Sequence, residues 1–202
     1  MLPTYKINID PMDEETGCFT ISMVEFPAVE IDFLKFDKEE PIKLHLNSDK
    51  HIVTGVALRA DYPIYRNNSR IGEHYVVFTK QIIQQIIEKY SKYGFNNLVN
   101  IEHDENRYVD NVIMLESYII DKERGLCPTE FSNIEDGSWI VSFKVNDVNL
   151  WDKIQSGEVK GFSIEGMFRY ESVETQLSKT NDSTISIETN DLDDFIQNLL
   201  ED

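Results

Sequence analysis

Residues 160–171 read KGFSIEGMFRYE, and apolar side chains alternate with the others along this stretch. A period of two is typical of a β-strand that buries one face. Gly161 and Gly166 lie on either side of Ser163, and glycine allows another backbone segment to approach closely. We therefore predict a strand that carries Ser163 with space beside it for the backbone of another chain.

Strand patterns also occur throughout the preceding part of the chain. Each combines apolar alternation with flanking turn residues, which is typical of β-structure. The segments are 4–10, 18–24, 51–58, 74–78, 98–103, 112–121 and 138–145. The sequence therefore predicts a β-rich protein.

Two helices interrupt the strand patterns. The first begins after Thr79 and ends near Gly94, and its apolar residues repeat at helical spacing on one face: Ile82, Ile83, Ile86, Ile87 and Tyr90. A shorter helix is predicted over 147–156, with Asp147 as its N-cap and Gly157 just beyond its end. Both are short enough to flank a β-structure.

The C-terminal region differs in composition from the rest. Residues 172–191 are rich in Ser, Thr, Asn and Asp, which predicts a flexible polar linker. Residues 192–202 regain an apolar stripe, formed by Leu192, Phe195, Ile196, Leu199 and Leu200, which predicts an amphipathic helix. We therefore divide the chain into a domain at 1–171, a linker and a C-terminal helix.

Composition restricts the classes of partner. The 202 residues carry 37 acidic and 19 basic side chains, a formal net charge of −18, which would repel DNA phosphates and anionic lipid. We expect no direct nucleic-acid or membrane partner. Cys18 and Cys127 have no metal-binding spacing, so both thiols are expected to be free, with no metal and no cofactor. No signal peptide or membrane-spanning stretch is evident, so we expect the protein to stay where it is made.

Two residue types could support nucleophilic catalysis. Ser163 lies in a glycine-flanked strand, and His103 ends the apolar run NLVNIEH just before an acidic turn. A serine nucleophile needs a base such as histidine within hydrogen-bond reach, and the adjacent Glu102 and Asp104 could fix the tautomer of His103. Taken alone, the same residues are more typical of an ordinary strand serine and a surface histidine at a strand end.

A set of segments in a fixed order resembles one known family. They run from ISMVEFPAVEIDFLKF (21–36) through VTGVALRADYPIYR (53–66), YVVFTKQII (75–83), NIEHDEN (100–106), VIMLESYIID (112–121) and GSWIVSFKV (137–145) to KIQSGEVKGFSIEGMF (153–168). Together they are similar to phage serine proteases of the XkdF type, which group with prohead proteases and, more distantly, with herpesvirus assemblins. The resemblance covers approximately residues 18–170. It implies an α+β, β-rich fold built as a small closed β-barrel with flanking helices.

The resemblance also implies roles for particular residues. NIEHDEN is similar to the stretch that holds the catalytic histidine, here His103, and VKGFSIEG is similar to the nucleophile motif, here Ser163. Assemblins use a second histidine after the serine, but no histidine follows His103 in this chain. The resemblance to prohead proteases implies a carboxylate as third member, with Glu116 first. Glu165 is an alternative that fits the role less naturally because it lies on the strand face of Ser163, and Glu188 is another, within the polar segment.

The function implied is that of a serine endopeptidase of capsid maturation. Its substrates would be scaffold and major capsid proteins, and the protease itself, inside the prohead in the host cytoplasm. Whether it forms a homo-oligomer stays open. The alternatives are a catalytically inactive internal scaffold or cargo protein with the same fold, which the acidic chain and C-terminal helix favour, and an unrelated β-rich binding domain.

Overall fold

Two β-sheets contain most of the regular structure in the computed structural model, which describes residues 2–27, 43–172 and 187–189. The strands are β1 (Thr4–Asn8), β2 (Gly17–Val24), β3 (His45–Asn47), β4 (Ile52–Leu58), β5 (Pro63–Asn68), β6 (Gly72–Val77), β7 (Val99–Ile101), β8 (Asp104–Tyr108), β9 (Val112–Ile119), β10 (Trp139–Val145), β11 (Gly161–Ser172) and β12 (Ile187–Thr189). The helices are α1 (Lys80–Lys92) and α2 (Val148–Ser156), with short 3-10 turns at Phe95–Asn97 and Thr129–Phe131.

Both helices form where the sequence predicts them. Thr79 caps α1 by accepting a hydrogen bond from the Ile82 backbone N–H, and Asp147 caps α2 by accepting one from the Leu150 N–H. A side-chain oxygen at the N-cap satisfies a backbone donor that has no partner within the helix. Gly157 adopts a left-handed conformation with φ of 77° directly after α2, as a C-terminal glycine does. These local predictions are confirmed.

The larger sheet carries the strand of Ser163 near its centre. Its order is β5-β6-β1-β11-β2-β7-β8, and β12 additionally pairs with β11. The β1–β6 and β2–β7 pairs are parallel, whereas β11 is antiparallel to β1, β2 and β12. As a result β2 and β11 lie side by side, with β7 next to β2.

The smaller sheet packs against the larger one. Its order is β3-β4-β10-β9, with all pairs antiparallel. Phe143 on β10 meets Phe162 on β11 edge to face, with ring centroids 5.5 Å apart. Tyr90 of α1 meets Trp139 of β10 in the same way, and all four side chains are fully buried. The alternate residues of β11 therefore face this core at Phe162 and the site described below at Ser163.

The expectation of a closed β-barrel is wrong, although the β-rich content is confirmed. The described strands form two open sheets, and the larger sheet ends at β5 and β8. β5 begins with Pro63, and three of the five residues in β8, DENRY, are charged. Proline and charged side chains on edge strands disfavour pairing with a further strand, which explains why these edges do not close the sheet.

The linker and the amphipathic helix predicted from the sequence both lie in the C-terminal region. Of the predicted linker beyond Ser172, the structure describes only β12, whose register pairs Arg169 with Glu188. The predicted helix at 192–202 lies outside the described residues. Within the described ranges, Cys18 and Cys127 are both free, and no helix is long and apolar enough to span a bilayer.

Candidate active site

Ser163 lies opposite Ser22 in the antiparallel pairing of β11 with β2. Directly opposed residues project from the same face of a sheet, with Cβ atoms about 5 Å apart. The register shifts between Glu165 and Gly166, which marks a β-bulge two residues after Ser163. A Cβ atom at Gly166 would lie 1.8 Å from the carbonyl oxygen of Gly17. The space beside Gly166 is therefore filled by β2 of the same chain and is not left open for another backbone as the glycines had suggested.

His103 lies in the tight turn between β7 and β8. Ile101 pairs with Asp104, so Glu102 and His103 form a two-residue hairpin loop, and both have φ of 57°. Positive φ at both central positions matches a type I′ turn, which glycine and asparagine usually fill. Such strained backbone at non-glycine residues often marks a functional site.

The same turn is anchored to the end of β2. The backbone N–H of Glu102 donates to the carbonyl of Met23 over 3.2 Å, and its carboxylate accepts the N–H of Glu25 over 2.6 Å. Asp104 accepts the N–H of Asn106 over 2.9 Å. These two carboxylates therefore hold the loop, and neither hydrogen-bonds to the imidazole as the sequence had suggested.

The carboxylate that contacts His103 is Glu165. Nδ1 of His103 lies 3.1 Å from Oε1 of Glu165 and 3.0 Å from Oγ of Ser22. The Ser22 hydroxyl donates to the same Oε1 atom, and Nδ2 of Asn100 donates to it over 2.7 Å. Three polar side chains therefore converge on one carboxylate oxygen.

This environment keeps Glu165 ionised at neutral pH. Burial by itself raises the pKa of the Glu165 carboxyl, but the hydrogen bonds from His103, Ser22 and Asn100 together outweigh it and hold the pKa below its ordinary value. The side chain is 25% exposed and that of His103 is 44% exposed. An anionic acceptor beside a partly exposed imidazole is the arrangement that stabilises an imidazolium.

Ser163, His103 and Glu165 line one cleft with a volume of about 530 Å³. Much of its wall is aromatic, from Phe19, Phe26, Phe78, Tyr108, Phe168 and Tyr170. Ser163 is 4% exposed. Among the described residues no hydrogen bond joins Ser163 to His103, and Nε2 of His103 makes none. The two side chains therefore line the same cleft without a hydrogen bond between them.

The other predicted residues lie elsewhere. Glu116 is on β9 of the smaller sheet, where its carboxylate accepts a hydrogen bond from Ser142. Glu188 is on β12, opposite Arg169 in register. Arg169 itself forms ion pairs with Asp13 over 2.9 Å and Asp10 over 3.6 Å.

Sequence reasoning did not identify Ser22 or Asn100. Both are fully buried polar residues in apolar strands, ISMV and LVNI, which is the available signal because such residues require a specific partner. Asn100 also lies only three residues before His103. Glu165 was ranked below Glu116 because it lies two residues after Ser163 on the same strand face, yet that face is where His103 meets it.

A serine hydroxyl, an imidazole and a carboxylate around one cleft are the side chains that serine hydrolases use. Residues 41–171, well over half of the chain, match the family described as "Putative phage serine protease XkdF". The chain belongs to this family of phage proteins. No curated protein and no solved structure matches it, so the relation to assemblins stays a prediction.

Proposed function

We propose that this protein is the serine endopeptidase that matures the phage head, with Ser163 as nucleophile, His103 as general base and Glu165 as the carboxylate that orients His103. The observation that carries the proposal is the contact of His103 Nδ1 with Glu165 Oε1 in the cleft that Ser163 also lines. Glu165 takes the role predicted for Glu116 because Glu116 hydrogen-bonds to Ser142 on the other sheet.

The reaction follows from these positions. Oγ of Ser163 bonds to the carbonyl carbon of the scissile peptide while its proton moves to Nε2 of His103. The C–N bond then breaks, and the leaving amine takes that proton. Water hydrolyses the resulting ester with His103 again as base, which restores the Ser163 hydroxyl. Glu165 stabilises the imidazolium through Nδ1 at both stages.

Substrate binding brings the nucleophile and base together in this proposal. Hydrogen bonds between catalytic groups are often long or absent before substrate binds. The aromatic walls of the cleft suit an extended peptide with large apolar side chains. We propose scaffold and major capsid proteins, and the chain itself, as the substrates, cleaved inside the assembling prohead.

Active-site labelling tests the assignment of the nucleophile. We expect a fluorophosphonate probe to label the wild type and the Ser172→Ala variant, a control that alters an exposed serine on the same strand. Ser163→Ala should lose labelling and the cleavage of co-expressed scaffold and capsid proteins by several orders of magnitude. Unchanged processing by Ser163→Ala would refute the proposal, and the absence of labelling and cleavage in a folded wild type would favour the inactive scaffold protein.

A further inference from the structure

Ser22 contributes a single hydroxyl proton, and the geometry shows where it goes. Its Oγ donates to Oε1 of Glu165, an ionised carboxylate that has no proton to donate in return. The same Oγ lies 3.0 Å from Nδ1 of His103. Since the only hydroxyl proton is already engaged, Ser22 can only accept a hydrogen bond from Nδ1.

The position of Nδ1 next to Glu165 also indicates that Nδ1 carries the proton. Without a proton on Nδ1, its lone pair would face Oε1 over 3.1 Å, and two acceptors would repel each other. A proton on Nδ1 satisfies both Ser22 and Glu165. In the neutral imidazole Nε2 is then the unprotonated nitrogen, the form that a general base needs.

Asn100 fixes the carboxylate on the opposite side. It is fully buried, and its Nδ2 donates to Oε1 of Glu165 over 2.7 Å, while its Oδ1 has no hydrogen-bond partner among the residues that the structure describes. Turning the amide by 180° would place Oδ1 against the carboxylate, so the donor orientation is the favourable one. The carboxylate therefore cannot rotate away from His103 without losing three hydrogen bonds.

Ser22 is unsuited to act as the nucleophile itself. It is fully buried, does not line the cleft, and donates its hydroxyl proton to the Glu165 carboxylate rather than to an imidazole nitrogen. Ser163, directly opposite on β11, lines the cleft and makes no such bond. Of the two opposed serines, only Ser163 is placed to act as a nucleophile, whereas Ser22 can orient its neighbours.

We propose that Ser22 is a positioning residue that, together with Asn100, holds His103 in the Nδ1–H tautomer and leaves Nε2 available as the base. The inferred tautomer of His103 does not depend on the proposed peptidase function. Only the expected effect on kcat rests on it. Nothing in the sequence motifs assigns a role to Ser22.

The tautomer is measurable by ¹H–¹⁵N NMR of the histidine side chains at neutral pH, with His103 assigned from the spectrum of the His103→Gln variant. We expect the neutral wild-type ring to be Nδ1–H. In Ser22→Ala, Nδ1 loses one of its two acceptors, and Glu165 loses one of the hydrogen bonds that hold its carboxylate against the ring. We therefore expect a partial shift toward the Nε2–H form and a kcat lower by about 10- to 100-fold at unchanged KM, less than the ~10⁴-fold cost of a wrong tautomer in a serine protease triad. Ser22→Thr, which restores a hydroxyl, should recover the tautomer and part of the kcat.

An Nε2–H ring in the wild type would overturn the inference, and this measurement needs no variant of Ser22. A Ser22→Ala protein with unchanged tautomer and kcat would also overturn the inference. The tautomer is also measured in the Ser163→Ala background, where no peptidase activity is required. Failure of the proposed function therefore leaves the test of Ser22 intact.

Discussion

Oε1 of Glu165 lies 3.1 Å from Nδ1 of His103, although β8, β9, β10 and α2 all lie between the two residues in the chain. The contact depends on β2, which pairs with β11 on one side and β7 on the other. It places a carboxylate on the imidazole nitrogen that a serine protease triad reserves for its third member.

Substitution of the two competing carboxylates separates their roles. We expect Glu165→Gln to lower kcat by about 10²–10⁴-fold, because the neutral amide no longer stabilises the imidazolium. Glu116→Gln should leave kcat near the wild-type value, since its carboxylate contacts Ser142 on the other sheet. Steady-state cleavage of a capsid-derived peptide measures both. The opposite ranking of the two variants would return the third-member role to Glu116.

Acid stability should depend on Glu165. The pKa of its carboxyl is held below the ordinary value of 4.5, so the folded state binds this proton less readily than the unfolded state. The stabilisation is fully present above the unfolded pKa and is lost as pH falls through the folded pKa. We expect the Tm difference between the wild type and Glu165→Gln to shrink as pH falls from 7 to 3. A difference that stays constant with pH would contradict this linkage.

Gly166 should tolerate no side chain. A Cβ atom there would lie 1.8 Å from the carbonyl oxygen of Gly17, so we expect Gly166→Ala to lower the free energy of unfolding by more than about 3 kcal/mol or to shift the β2–β11 register. Gly72→Ala is the matched control, because its φ is +75° with no atom within 4 Å of the added carbon.

The control should cost only backbone strain, about 1–2 kcal/mol. Chemical denaturation measures both variants, and loss of fluorophosphonate labelling would report a shifted register at Ser163. Equal destabilisation by the two substitutions would show that contact with β2 is not the reason for a glycine at position 166.

We propose that the C-terminal region recruits the protease to the assembling head. Deletion of 173–202 should leave peptide cleavage intact and abolish incorporation into proheads, because the predicted helix at 192–202 has an apolar stripe that suits a partner surface. A shorter deletion of 190–202 retains β12 and its pairing with β11. Both deletions should have the same effect on packaging. A truncated chain that fails to fold would show instead that the region belongs to the core.

The sequence by itself determined the features that depend on neighbouring residues. Thr79 and Asp147 as helix caps, the glycine after α2 and the alternation along β11 follow from local backbone and side-chain chemistry. The family motifs identified Ser163 and His103 as candidate nucleophile and base, and in the structure both line one cleft. The sequence alone was also sufficient to predict the family, because the family's segments occur in a fixed order along the chain.

Only the tertiary structure decided how the strands are grouped and which acid meets the imidazole. Sheet closure depends on whether edge strands such as β5 and β8 find a partner, and the alternation of apolar residues along a strand does not specify which strand lies beside it. The contact of Glu165 with His103 requires the β2–β11 register and the turn at Glu102 and His103, which involve residues far apart in sequence. The role of Ser22 also depends on tertiary structure, because the two groups that its hydroxyl contacts, Glu165 and His103, are far from it in sequence.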